Sequence, residues 1–290
     1  MVPVSSVVMM GVCAAIGIVA PFLLAVWLVK KFNVNPVTIV IGACVFIIFA
    51  LGLESVLHQI VLKGPAGPSI MGNTLYFALY GGLAAGIFEE TGRFVAMKWL
   101  LRKRASKALT GIAYGFGHGG VEMLVIFGVS MVSNLVIAIM VDGGHQDLLL
   151  ATVPEEARDV ALAQFAQIEA MTVGGLLIGL WERISAFVLQ IGLSLIVWKA
   201  VRGGGRWILL FPVAILVHAL VDALAVILSK SAGMLAVELI VTALAVAVAA
   251  SAWLIWRPRR ENGPKRAEGP TISQSRGEIP LKPANCTENP

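Results

Sequence analysis

Glu89, Glu90 and Arg93 sit in the middle of a largely apolar run from Leu75 to Leu101. A charge near the centre of a bilayer costs roughly 2.5–3.5 kcal/mol on insertion scales, so three together mark a site and require partners. Glu89 and Arg93 are four apart and share a helix face, with Glu90 about 100° further round. Arg93 can clamp one carboxylate and leave the other free to act. A buried ion pair holding helices together would account for one glutamate but not for two. Two further pairs have the same spacing, His118 with Glu122 and His218 with Asp222, and Trp181–Glu182–Arg183 adds another carboxylate beside a guanidinium. Such a set suits zinc or another divalent metal, with candidate ligands His118, His218, Asp222 and Glu122 and a water in the open position. A second carboxylate would then act as general base toward that water. A metal-free version, in which Glu and His activate water directly, uses the same residues.

The elements that must carry these groups are membrane helices. The chain has 290 residues, of which 58% are hydrophobic and 13% charged, more apolar surface than a soluble protein can bury. Hydropathy predicts an all-α bundle of seven spans over 1–256, at about 3–29, 36–62, 73–101, 108–140, 171–201, 207–229 and 232–256. The first span follows no basic segment and reads as a signal anchor rather than a cleaved signal. Lys30, Lys31, the cluster from Lys98 to Lys107, Lys199, Arg202, Arg206 and the basic residues from Arg257 onward all fall on one side. Only Lys63, Arg158 and Lys230 fall on the other. The positive-inside rule therefore places the N-terminus outside and the C-terminus in the cytoplasm. The net charge of +5 is thus topology, and no nucleic-acid surface is implied. Cys13, Cys44 and Cys286 have no metal-type spacing and suggest no disulfide.

Two segments lie outside the bilayer. The outer loop, about 142–170, contains Thr152 and Glu155 as a capping box, followed by an amphipathic stripe of Val160, Leu162, Phe165 and Ile168. It reads as a helix resting on the bundle, or as a lid over an entrance. Residues 257–290 are rich in Pro, Gly, Asn, Glu and Arg and read as a disordered basic cytoplasmic tail.

Depth links the motifs. Glu89, Glu90, His118 and His218 each lie about ten residues from the cytoplasmic end of their spans, roughly 15 Å at 1.5 Å per residue, so they converge near the midplane. Gly111, Gly115 and Gly119 form a small-residue face that permits close helix contact beside His118. Glu54 and His58, nearer an outer end, and Glu238 read as structural or interfacial.

Glu89–Glu90–x–x–Arg93, an aromatic four residues before His118, and His218–x–x–x–Asp222 resemble the three motifs of the CAAX-protease and bacteriocin-processing superfamily and its PrsW-type relatives. The Gly–His118–Gly–Gly–x–Glu122 string, the Trp–Glu182–Arg motif and the outer loop most resemble the YhfC-type membrane peptidases, over nearly the whole chain except the tail. The spacing to Arg93 is one shorter than in the CAAX-type motif, and the third motif ends in Asp, as in PrsW-type proteins. The resemblance implies an intramembrane endopeptidase of a cell membrane, bacterial and cytoplasmic. Its base would be Glu89 or Glu90, and His118, His218 and Asp222 would serve as ligands or stabilisers. A membrane protein or peptide is the implied substrate and the lipid bilayer the surroundings, with no oligomeric state assigned. Two other classes fit the same residues: a cation- or proton-coupled transporter component, and a non-catalytic scaffold or immunity factor.

Overall fold

The computed structural model describes residues 1–257, and the segment read as a tail lies outside them from residue 258 onward. The described residues are helical throughout, with seven long helices: α1 (Val4–Phe32), α2 (Pro36–Leu62), α3 (Thr74–Trp99), α4 (Ala108–Asp142), α5 (Val173–Arg202), α6 (Gly205–Ser229) and α7 (Met234–Trp256). All but α3 are long and apolar enough by themselves to cross a membrane. With 26 residues α3 is also long enough, but it carries Glu89, Glu90, Arg93 and Lys98. Three helices start on polar caps. The side chains of Asn35, Asn73 and Thr172 accept from backbone N–H groups of the first turns of α2, α3 and α5. Pro36 then occupies the first turn of α2, where no N–H is needed.

The packing pairs α3 with α6, α5 with α7, and α2 with α4, while α5 runs along α4 and α1 lies against the second half of α4. The basic ends gather on one face. Arg202 of α5 donates to the carbonyls of Arg102 and Arg104 in the α3–α4 turn, and Lys199 lies over the rings of Trp207 and Trp256. At the opposite face, the Val2 N–H donates to Asp142, and Val2 and Ile168 belong to one apolar cluster. The N-terminal end of α1 and the 142–170 segment therefore share a side, as the topology requires.

The 142–170 segment departs from expectation at its start. Thr152 donates its hydroxyl to Leu149 instead of capping a helix, because a carbonyl of the preceding short helix lies within reach. One turn of 3₁₀ helix (Glu155–Ala157) leads into a helix only at Arg158–Glu169. Phe165 and Ile168 are buried as anticipated, but Val160 and Leu162 are exposed, so the apolar stripe is narrower than the spacing predicted.

Two helices contain a wider, π-type turn, Ile47–Glu54 in α2 and Met123–Val129 in α4. One ends on Glu54 and the other begins immediately after Glu122. Such turns re-aim the following residues, and both occur where a carboxylate enters the interior.

Candidate active site

Helix α3 brings Glu89, Glu90 and Arg93 into the bundle because its neighbour can touch its backbone. A Cβ on Gly82 would lie 2.3 Å from the Ala219 carbonyl, and one on Gly86 would lie 2.6 Å from that of Ile215. Glycine at both positions lets α6 lie directly on α3, which places His218 Nδ1 2.7 Å from Glu90 Oε1. The same Glu90 oxygen accepts from Arg93 Nη1 at 2.5 Å. Arg93 is fully buried, and its Nη2 donates to Glu89 Oε2 at 3.1 Å, so one guanidinium spans both carboxylates.

Helix α4 is placed by a second close approach. A Cβ on Gly117 would lie 1.8 Å from the Ile39 carbonyl, so only glycine allows α2 and α4 to meet there. The adjacent His118 is fully buried, with Phe46 edge-on at 5.1 Å and Tyr114 stacked at 6.1 Å. Its Nε2 lies 2.9 Å from Glu89 Oε2. The small-residue face reads out as predicted, since Gly111, Gly115 and Gly119 lie against Trp198, Ser194 and Gln190 of α5.

Gln190 of α5 ties these helices together. Its carbonyl oxygen accepts from Arg93, and its amide donates to Glu89 Oε2 at 3.2 Å and to Glu122 Oε2 at 2.6 Å. Glu122 also faces Arg183 Nη1 at 3.6 Å. On the far side of His218, Nε2 lies 3.5 Å from Asp222 Oδ2.

The structure thus joins Glu89, Glu90, Arg93, His118 and His218 in one buried network, with Glu122 attached through Gln190 and Asp222 through His218. Glu182 stands apart. It bonds Arg183, and its side chain is 43% exposed at the rim of a cavity between α5, α6 and α7. Two members escaped the sequence reading. Gln190 is an uncharged amide, and its only signal is a position two turns beyond Arg183 on the same face. Glu54, nearer the C-terminal end of its span, is buried, within electrostatic reach of Glu89, His218 and Asp222, and bonded to His58 at 3.2 Å. The π-type turn that ends on it accounts for this inward position.

Among the described residues no three His, Cys, Asp or Glu side chains group closely enough to hold a metal ion. The four expected ligands divide among different partners: His118 with Glu89, Glu122 with Gln190, and His218 with Glu90 and Asp222. Of the four, only His218 and Asp222 adjoin; these two donors fall short of a metal site by themselves, and His218 is the better placed. Its Nδ1 is oriented by a carboxylate, as is usual for a ligating imidazole, and its Nε2 is turned toward Asp222.

No solved structure matches the chain. The chain is 35% identical over 231 residues to a Bacillus subtilis (strain 168) protein named uncharacterized membrane protein YhfC, which covers 79% of this chain and 88% of that protein. The sequence model of a family described as YhfC intramembrane metalloprotease matches residues 15–246, which include every residue of the buried network. This multi-pass membrane protein belongs to the YhfC intramembrane metalloprotease family.

Proposed function

We propose that the protein is an intramembrane endopeptidase in which Glu89 activates the attacking water. The observation that carries this reading is the unequal placement of the two glutamates. Glu89 receives Arg93, His118 and Gln190 all on Oε2, which leaves Oε1 with no hydrogen-bond partner among the described residues. Glu90 is fully buried, with Arg93 and His218 converging on its Oε1 and its unbonded Oε2 sealed from solvent, whereas the Glu89 side chain is 9% exposed. Each carboxylate keeps one free oxygen, but only Glu89 is open to an incoming water, while Glu90 is shut in and orients His218.

In the reaction, Glu89 Oε1 takes a proton from water as the oxygen attacks the peptide carbonyl carbon. The same proton then passes to the departing amine as the C–N bond breaks. Arg93 and Gln190 fix the carboxylate, so no reorganisation is needed when its charge changes. His118, wedged by Phe46 and Tyr114, holds the same Oε2 of Glu89. A divalent metal, which the family's description implies, would find two of its ligands in His218 and Asp222 and would acidify water and polarise the carbonyl. The substrate is a membrane protein or peptide, the N-terminus faces outward and the membrane is the bacterial cytoplasmic membrane.

Cleavage of synthetic transmembrane peptides by the protein in proteoliposomes tests this reading. Wild type yields defined fragments, whereas Glu89→Gln and His218→Ala, folded by circular dichroism, yield none. Wild-type cleavage by either variant would overturn the assignment. Ion flux lost in both variants, without peptide cleavage in any sample, would identify a transporter instead.

A further inference from the structure

Beside the buried network, a cavity of about 310 Å³ opens between α5, α6 and α7, lined by Glu182, Arg183, Asp222 and Glu238 with apolar walls that include Leu189 and Val241. Asp222 belongs to both, since His218 Nε2 lies 3.5 Å from it. The cavity is therefore continuous with the proposed catalytic layer. Its three carboxylates face one guanidinium, and Arg183 is already engaged by Glu182 and Glu122.

Glu238 is the outlier. It is the single ionisable residue of α7, is 8% exposed, and its Oε2 is buried without any hydrogen-bond partner. An unpaired carboxylate in a membrane helix is costly, and such residues face a partner, a pathway or a ligand. Glu182 and Arg183 are both within electrostatic reach, Glu182 adding like charge and Arg183 an opposite charge that it already shares with Glu182 and Glu122. A hydroxyl pair, Ser185 with Thr242 at 2.8 Å, lies one turn deeper on the same two helices, so polar character continues across the α5–α7 seam.

We propose that this cavity binds a positively charged group of the substrate, a lysine or arginine side chain close to the scissile bond, with Glu238 as its principal counter-charge. This deepens the peptidase reading and rests on it. The α6 stretch from Asp222 to Ser229, which lines the cavity, spans roughly 10 Å at 1.5 Å per residue. About three residues of extended peptide cover that distance, at 3.3–3.6 Å each. The α6 wall of the cavity thus accommodates about three extended residues beyond Asp222, which sets the span in which the basic residue is expected. A neutral residue would leave Glu238 unpaired and desolvated, which makes the preference a matter of charge rather than size.

The test uses the full chain in nanodiscs and two matched probes, n-butylguanidinium and neutral n-butylurea, followed by saturation-transfer NMR. Wild type binds the guanidinium at least tenfold more tightly than the urea, and Glu238→Gln, which keeps the shape of the side chain, abolishes the difference. Equal binding of the two probes, or an undiminished preference in Glu238→Gln, would overturn the proposal. So would stoichiometric Zn²⁺ binding that Glu238→Gln removes while guanidinium does not bind, since the cavity would then be a metal site. The second arm maps cleavage sites in the transmembrane peptide library. Lys or Arg within three positions of the cut is expected for wild type, and loss of that bias is expected for Glu238→Gln. Cleavage without any basic preference would end the specificity proposal and leave the peptidase intact. Guanidinium binding without cleavage would retain the cationic site and remove the peptidase reading.

Discussion

The buried network around Arg93 and the cavity between α5, α6 and α7 are made of the same residue types, yet their pairing differs. In the network, two glutamates share one guanidinium, each imidazole meets a carboxylate, and Gln190 reaches three partners; Glu89 and Glu90 each keep one free oxygen but are each held twice or more through the other oxygen. In the cavity, Glu238 has a buried Oε2 and no hydrogen bond on either oxygen among the described residues, and Arg183 is divided between Glu182 and Glu122. The first arrangement fixes side chains before any ligand arrives. The second leaves charge to be met by something from outside. A catalytic group must be pre-positioned, and a recognition group must not be self-satisfied.

Substitutions sharpen this contrast in descending order. Arg93→Met strips both glutamates of their shared cation and leaves buried charge uncompensated. A loss of about 3–5 kcal/mol in thermal unfolding is expected, with little sensitivity to salt. Gln190→Leu removes an amide that serves three partners and leaves Glu122 without its closest donor. The expected cost is about 1–3 kcal/mol, with cleavage falling along with stability. Gly86→Val forces α6 away from α3, at about 1–3 kcal/mol of overpacking. It also lengthens the His218–Glu90 contact, so activity falls more than stability, which paired unfolding and cleavage measurements reveal. Glu182→Gln, at the exposed rim, shifts unfolding by no more than about 0.5 kcal/mol and raises KM with little change in kcat. An unfolding shift as large as that of Arg93→Met would erase the distinction between rim and network.

Much of this arrangement was legible beforehand because helices translate sequence spacing into depth. The seven long helices begin and end within a few residues of the hydropathy spans, and Glu89, Glu90, His118 and His218 meet where a 1.5 Å rise places them. The illegible parts have physical reasons of their own. Gln190 is neutral, so it carries no insertion penalty to draw attention. Glu54 closes a π-type turn, and counting in regular helical steps does not show that it faces the interior. Thr152 looked like a cap because the box pattern is local, whereas the Leu149 carbonyl that takes its hydroxyl belongs to a short helix the pattern does not register.

The central claim is the division of labour between adjacent glutamates, and the cleavage rate of Glu89→Gln against Glu90→Gln in the same proteoliposomes tests it most directly. Glu89→Gln is expected to stay folded and lose about 10²–10⁴-fold in rate, the usual contribution of a positioned base. Glu90→Gln is expected to retain measurable turnover while its unfolding temperature drops, since it loses the carboxylate that Arg93 and His218 share. Wild-type cleavage by Glu89→Gln, or the reverse ranking of the two variants, would contradict the account.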